Sequence, residues 1–187
     1  AGIEVQGGFI VGFDSDDTSI FHRQIEFIQR TGIVTAMVGL LQAIPGTRLH
    51  ERMLDEGRVI GSPSGDNVDG TTNLLPQMGL ETLNDGYRKI LKSIYSPRGY
   101  YKRLRTFLRE FPVPNISPPL DKTRIFALLR SFVQLGMISN GRLGYWRMLL
   151  WTLVRRPRHF GRAVTLSITG HHYRTICKSI LASPRIR

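Results

Sequence analysis

GGFIVGFDSD (residues 7–16) and, further on, GLLQAIPGTRLHERMLDEGRV (residues 39–59) are the stretches that decide the fold. Ile3 to Phe13 is rich in β-branched and aromatic residues and lacks proline, which reads as a strand. Asp14, Ser15 and Asp16 then offer N-caps for a helix. In that helix Phe21, Ile25 and Ile28 recur at i, i+4, i+7 and share one face, and Gly32 supplies the stop. Ile33 to Leu41 is a continuous apolar run of strand length, the pattern of a parallel strand covered on both faces. Pro45-Gly46-Thr47 makes a turn, with Thr47 capping a helix that runs to Glu56 and ends at Gly57. Strand, helix and strand at this spacing predict a βαβ unit. Two strands cannot close a sheet, and Ala1 rather than Met stands first, so a fragment of a larger fold is expected.

Residues 61–79 read as a linker or irregular loop, because Gly61-Ser62-Pro63-Ser64-Gly65-Asp66-Asn67 is made of turn formers. Beyond it the pattern is helical through residues 80–187. Leu80 to Tyr95 is one helix, and Ser96-Pro97 is a cap followed by proline at the first position of the next. That second helix is expected to bury Tyr100, Tyr101, Leu104, Phe107, Leu108 and Phe111. It places Arg98, Lys102, Arg105 and Arg109 in a basic stripe on its other side. Pro112, Pro114, Pro118 and Pro119 break the chain, after which Asp121 is the expected cap of a helix with Ile125, Leu128, Leu129 and Phe132 on one side. Leu143 to Leu181 holds two or three further helices, punctuated by Pro157 and Gly170. No apolar run reaches the roughly 18–20 residues that span a bilayer.

The 187 residues carry a net charge of +12, divided unevenly. Residues 1–86 hold twelve acids against five cations, net −7, while residues 87–187 hold two acids against twenty-one, net +19. Such asymmetry predicts an anionic partner for the second half: nucleic acid, anionic lipid, a phosphorylated substrate or an acidic protein face. The alternative is a solvated basic face. Nucleic acid ranks lower, because no recognised nucleic-acid-reading motif is present. Cys177 is the single cysteine, so an internal disulfide is excluded and a reducing, cytoplasmic compartment is expected. Alone, it also cannot hold an iron–sulfur cluster. Tyr145 to Arg156 combines aromatics, aliphatics and a basic end, which suits either a core helix or one lying in a membrane interface.

The chemistry gathers at Gly8-Phe9-Ile10-Val11-Gly12-Phe13-Asp14. Glycine in a buried strand supplies no packing, so two glycines four apart indicate either close strand–helix packing or close approach of a ligand to the main chain. Ligands of parallel α/β folds bind beyond the C-terminal ends of the strands. Leu41-Gln42-Ala43-Ile44-Pro45-Gly46 ends the second strand on that same side. Asp14, Asp16 and Asp17 lack the spacing of a calcium loop, and capping is the reading adopted for them. His171-His172 has no nearby acid or thiol to complete a metal site.

GGFIVGFDSD followed by GLLQAIPGTRLHERMLDEGRV resembles radical S-adenosylmethionine (SAM) proteins, in particular those with an N-terminal cobalamin-binding domain. NLLPQMGLETLNDGYRKILKSIYSPRGYYKRLRTFLREF (residues 73–111) and YWRMLLWTLVRRPRHFGRAVTLSITGHHYRTI (residues 145–176) look like the helical domain that follows the barrel in that subgroup. The resemblance implies a fold of α/β followed by all-α. Residues 1–60 would be the last βα units of a partial (β/α) barrel, 61–79 a linker and 80–187 a basic helical C-terminal domain. It implies SAM, a [4Fe–4S] cluster and in some members cobalamin as cofactors of the parent enzyme, a methyltransferase or a relative. Ile10 and Gly12 would then offer backbone contacts to the adenine, with Phe13 and Asp14 at the mouth of the site and Gln42 at the end of the neighbouring strand. The CxxxCxxC motif that holds the cluster is absent from this sequence. The expectation is therefore a chain inactive alone, whose partner is the missing N-terminal part of the barrel. An anionic membrane surface is the second candidate partner. The runner-up reading is a non-catalytic basic helical module that binds anionic membrane or nucleic acid.

Overall fold

The computed structural model describes residues 4–66, 69–112 and 122–182. Among them the secondary structure is mostly helical, with one small parallel sheet. Strand β1 (Gln6–Val11) leads through helix α1 (Ser19–Thr31) to β2 (Thr35–Leu40), then to α2 (Arg48–Asp55). After an irregular connection come α3 (Leu80–Ile94), α4 (Pro97–Glu110) and α5 (Lys122–Val133). A π-helical turn (Gln134–Ile138) joins α5 to α6 (Arg142–Arg155), and a 3-10 turn (Pro157–His159) joins α6 to α7 (Phe160–Ala182).

Most of the expected boundaries have a visible physical cause. Gly32 ends α1 at φ 70°, and Thr47 caps α2 by accepting from the His50 amide at 3.2 Å. Ser96 caps α4 by accepting from Gly99 N at 3.0 Å, with Pro97 at the first helical position. Two readings change. The residue flanking α1 is Thr18, whose side chain makes no capping bond, so the aspartates serve elsewhere: Asp17 accepts from Ser19 N, and Asp16 folds back onto the preceding loop. Gly170 does not punctuate the last helices. It lies inside α7, where an added Cβ would stand 2.2 Å from the Tyr100 ring, so its role is close packing of α7 on α4. Asp121, Pro114, Pro118 and Pro119 lie outside the described residues.

One core joins the sheet to the helices. Val11, Ala36, Val38 and Leu40 from the strands, Phe21 and Ile28 from α1, and Leu83, Ile90, Leu104, Tyr145 and Leu166 from the later helices are buried in the same cluster. Gly86 brings α3 against α1 so closely that a Cβ there would fall 2.2 Å from the Phe21 ring.

At the centre of this junction is Arg103, fully buried on α4. It donates to the carbonyls of Ile94 (2.8 Å) and Val34 (3.1 Å) and lies over the rings of Tyr95 and Tyr100. Ile94 ends α3, where the helix dipole favours a cation. Tyr95 in turn donates to the Ala36 carbonyl at 2.7 Å. The entry of β2 is therefore clamped to α3 and α4 by polar groups in the buried interior.

The basic stripe on α4 is only partly a solvated face. Arg98, Lys102 and Arg109 are exposed, while Arg105 is half-buried over the Trp151 ring at 5.4 Å. On the core side Tyr100, Tyr101, Leu104, Leu108 and Phe111 are buried as expected. In α5 the expected apolar side splits. Leu128 and Phe132 pack on the core, but Ile125 and Leu129 face outward. No helix among the described residues is long and apolar enough to cross a membrane.

Candidate functional site

The two strands run parallel with Gln6 opposite Thr35, Gly8 opposite Met37 and Ile10 opposite Gly39. Alternation in a strand sends successive side chains to opposite faces. Gly7, Phe9 and Val11, with Ala36, Val38 and Leu40, therefore share the face that α1 and α3 cover. The other face carries Gly8, Ile10, Met37 and Gly39. Ile10 is 49% exposed and Met37 41% exposed, and a Cβ built on Gly8 would meet no atom within 4 Å. The expectation of a second strand covered on both sides thus fails at Met37. Thr35 and Gly39, on the same face as Met37, are buried, so the face is open over Gly8, Ile10 and Met37.

At the C-terminal ends of the strands the main chain is held by side chains. Gly12 sits at φ +106°, a conformation that favours glycine, with the Leu83 side chain 3.1 Å from where a Cβ would be. The amides of Gly12 and Phe13 both donate to Asp16 Oδ2, at 2.9 and 3.0 Å. The carbonyl of Ile10 accepts from Gln24 Nε2 at 3.0 Å. Phe13 is 43% exposed beyond the strand. Asp14 is not a free group at the mouth. Its carboxylate accepts from Arg58 (2.5 Å) and from Arg52 (2.9 Å), which ties the β1 loop to α2 and to the segment after it. The bonded Arg58 guanidinium holds the Asp14 carboxyl below its ordinary pKa, against the opposing effect of burial.

Gln42 follows β2. Its amide nitrogen lies 3.2 Å from both Ser64 Oγ and the Asp66 carbonyl and 3.3 Å from the Thr71 carbonyl. Its Oε1 is buried and has no hydrogen-bond partner among the described residues. Next to it Asn73 pairs with the Ala43 backbone in both directions, at 2.8 and 2.9 Å, and Thr72 donates to the Leu41 carbonyl at 2.6 Å. The stretch read as a linker thus contains an ordered strap, docked across the end of β2 and joined to Val59 by a bridge at Leu74.

The structure brings Ile10, Gly12, Phe13, Asp14 and Gln42 to one end of the sheet, beside the open face. Sequence reasoning missed Gln24, Arg52, Arg58 and Asn73, whose partners are up to 44 residues distant along the chain. No local pattern marks them. No group of three His, Cys, Asp or Glu side chains that could hold a metal occurs among the described residues. Cys177 is buried in α7, and burial pushes its thiol up to about 12, which disfavours the thiolate that metals require.

Comparison with known proteins adds a family. The model of a family described as a domain of unknown function, DUF4070, matches residues 47–185. An uncharacterized methyltransferase of Synechocystis sp. is 29% identical over 184 residues, covering 92% of this chain and 33% of that protein. The hopanoid C-2 methylase of Rhodopseudomonas palustris is 27% identical over 180 residues, 91% of this chain and 33% of that protein. The bacteriochlorophyllide d C-12(1)-methyltransferase of Chlorobaculum tepidum is 30% identical over 105 residues, 55% of this chain and 22% of that protein. The chain spans about a third of the length of the first two relatives. No solved structure matches it significantly.

Proposed function

This chain belongs to the DUF4070 family, and on that premise we propose that it is the C-terminal portion of a radical SAM methyltransferase. In this reading β1, α1 and β2 are late units of a partial (β/α) barrel, and the helices from α3 onward form an accessory domain. The observation that carries the proposal is the open glycine face. Gly8 leaves main chain bare beside Ile10 and Met37, and the strap and the Asp16 loop border the C-terminal end of this face. A flat aromatic ring such as adenine can lie on bare main chain, whereas a side chain at position 8 would lift it off. The residues present fit the adenosyl end of SAM.

The ligand arrangement differs from the simplest form of the expectation. The Ile10 carbonyl and the Gly12 amide already have protein partners, so their bonds to Gln24 and Asp16 fix the shape of the strand end. Gln42 Oε1 and Gln24 Oε1 are buried acceptors without a partner among the described residues, and Gln42 Oε1, at the end of β2, suits an N–H donor such as the adenine amino group. Asp14 serves as a latch between the two loops. The lone, protonated Cys177 does not fit a [4Fe–4S] cluster. Cluster and SAM together would supply radical chemistry from another part of the parent protein, and cobalamin, where used, would be held outside this chain.

The test begins with the coding frame upstream of Ala1, which should encode CxxxCxxC. In the protein that includes it, Gly8→Val should weaken SAM binding by at least tenfold in equilibrium dialysis while leaving the iron content unchanged. SAM binding unaffected by Gly8→Val would reject the open face as the adenine site. A frame without the cysteines would reject the radical SAM reading.

A further inference from the structure

The helical part has its own uncovered surface. On α6 the residues Tyr145, Met148, Leu149 and Thr152 are buried, so one face belongs to the core. The opposite face is also apolar: Leu143, Trp146, Leu150, Leu153 and Val154 are each between 45% and 75% exposed. Their spacing of i, i+3, i+7, i+10, i+11 places them on one side of the helix. α5 repeats the pattern with Phe126 (67% exposed), Leu129 and Val133. The π-helical turn between them presents Met137 and Ile138, at 66% and 72% exposed.

The three pieces are fastened together at Trp146. Its indole donates to the Gly136 carbonyl at 3.0 Å, and its ring lies against Phe132 of α5 with centroids 5.4 Å apart. An added Cβ on Gly136 would meet the same indole at 2.9 Å. The exposed apolar side chains therefore stand on a braced platform.

The charge around this surface restricts what can cover it. Residues 122–182 contain eleven Lys and Arg and no Asp or Glu. Arg147 projects from the apolar stripe itself, one helical turn beyond Leu143. Exposed Arg142, Arg155 and Arg130 stand at the ends and flank. Such a face repels an identical face of a second copy. It matches a bilayer whose headgroups are anionic and whose interior accepts leucine and tryptophan, with arginine reaching back to phosphate. We propose that the α5–α6 face docks this protein onto anionic membrane, with α6 lying in the interface plane. In this proposal the docking surface is the α5–α6 face rather than the stripe on α4, where Arg105 lies over the Trp151 ring. The proposal stands on the exposed residues alone and holds whether or not the radical SAM reading does.

The experiment uses the 187-residue chain and vesicles of phosphatidylcholine with or without one-third phosphatidylglycerol. The chain should co-sediment with the anionic vesicles at least tenfold more strongly than with neutral ones. In a Trp151→Phe variant, whose one remaining tryptophan is Trp146, fluorescence should shift to the blue and be quenched by lipids brominated on the acyl chain. In Trp146→Phe, Trp151 should be quenched less. The exposed triple variant Leu143→Ser, Leu150→Ser, Val154→Ser should keep the melting temperature and lose at least tenfold in vesicle binding. Binding unchanged in the triple variant, or no quenching of Trp146 by brominated lipid, overturns the proposal. So does a vesicle-independent dimer that the triple variant abolishes, since a second copy would then cover the face.

Discussion

On the open face of the sheet the exposed positions are Gly8, Ile10 and Met37. On the α5–α6 face they are Leu, Met, Phe, Val and Trp with arginines among them. Both surfaces are apolar and both lie outside the shared core, yet they are made of opposite materials. The sheet face offers bare main chain, and its half of the chain is acidic. A surface of that kind suits a partner that approaches the backbone closely: more strands, or a flat ring. The helix face offers tall side chains in a cationic setting, which excludes close backbone approach and suits a deformable apolar phase bounded by anions. Exposure of apolar residues alone does not reveal a function, since much of any protein surface is apolar. Side-chain height and surrounding charge separate the two surfaces.

The difference also depends on what stands beneath each face, and the largest expected effect tests that support. Arg103→Ala removes the clamp between the entry of β2 and the ends of α3 and α4. It strands two buried carbonyls and opens a cavity, at an expected cost of about 3–5 kcal/mol. Arg103→Lys, which lacks the planar fork, should cost less than alanine but clearly more than zero. Urea unfolding at neutral pH measures both. A loss below about 1 kcal/mol for Arg103→Ala would mean that the sheet is held by apolar packing alone.

A pair of glycines sharpens the contrast between covered and open positions. Gly86→Ala drives a methyl group into the Phe21 ring. It should destabilise by more than about 2 kcal/mol, even after the roughly 1 kcal/mol that alanine gains in a helix. Gly8→Ala meets no atom within 4 Å and should leave stability unchanged or raise it by about 0.5 kcal/mol. If Gly8→Ala destabilised this chain as Gly86→Ala does, the face would already be covered, and its assignment to a ligand would fall.

The sequence made the elements legible where local chemistry acts alone. The Thr47 cap, the Ser96-Pro97 entry and the Gly32 stop each depend on a few neighbouring residues, and each holds. The end of the sheet that gathers Ile10, Gly12, Phe13, Asp14 and Gln42 was legible as well, from parallel-strand logic and the family pattern. Legibility failed where a partner comes from far along the chain. Nothing local marks Arg103 as a buried clamp, because the Val34 carbonyl that it meets lies 69 residues away along the chain. Leu129 reads as core by its spacing and faces outward, because periodicity marks an apolar stripe without naming what it meets. Gly170 reads as a stop until the Tyr100 ring fills the space that a Cβ would need.

The smallest expected loss of stability concerns the latch beside the open face. Asp14 bridges to Arg58 and Arg52, and its side chain is only 20% exposed. Replacing it with Asn keeps the shape and removes the charge, for an expected loss of about 1 kcal/mol at pH 7, near the upper end for ion pairs close to the surface. The effect should depend on pH in a stated direction. The folded carboxyl titrates below the ordinary value of 3.8, chiefly because it is bonded to Arg58. A depressed folded pKa gives stability that is fully present above the unfolded pKa and is lost as pH falls through the folded one. The gap between the native chain and Asp14→Asn should therefore be level from pH 8 to 5 and shrink below about pH 4. Urea titrations at pH 7, 5 and 3 would follow it. A gap that stays constant down to pH 3 would show that Asp14 acts through shape rather than charge, and the border of the sheet face would then be a packing feature like its base.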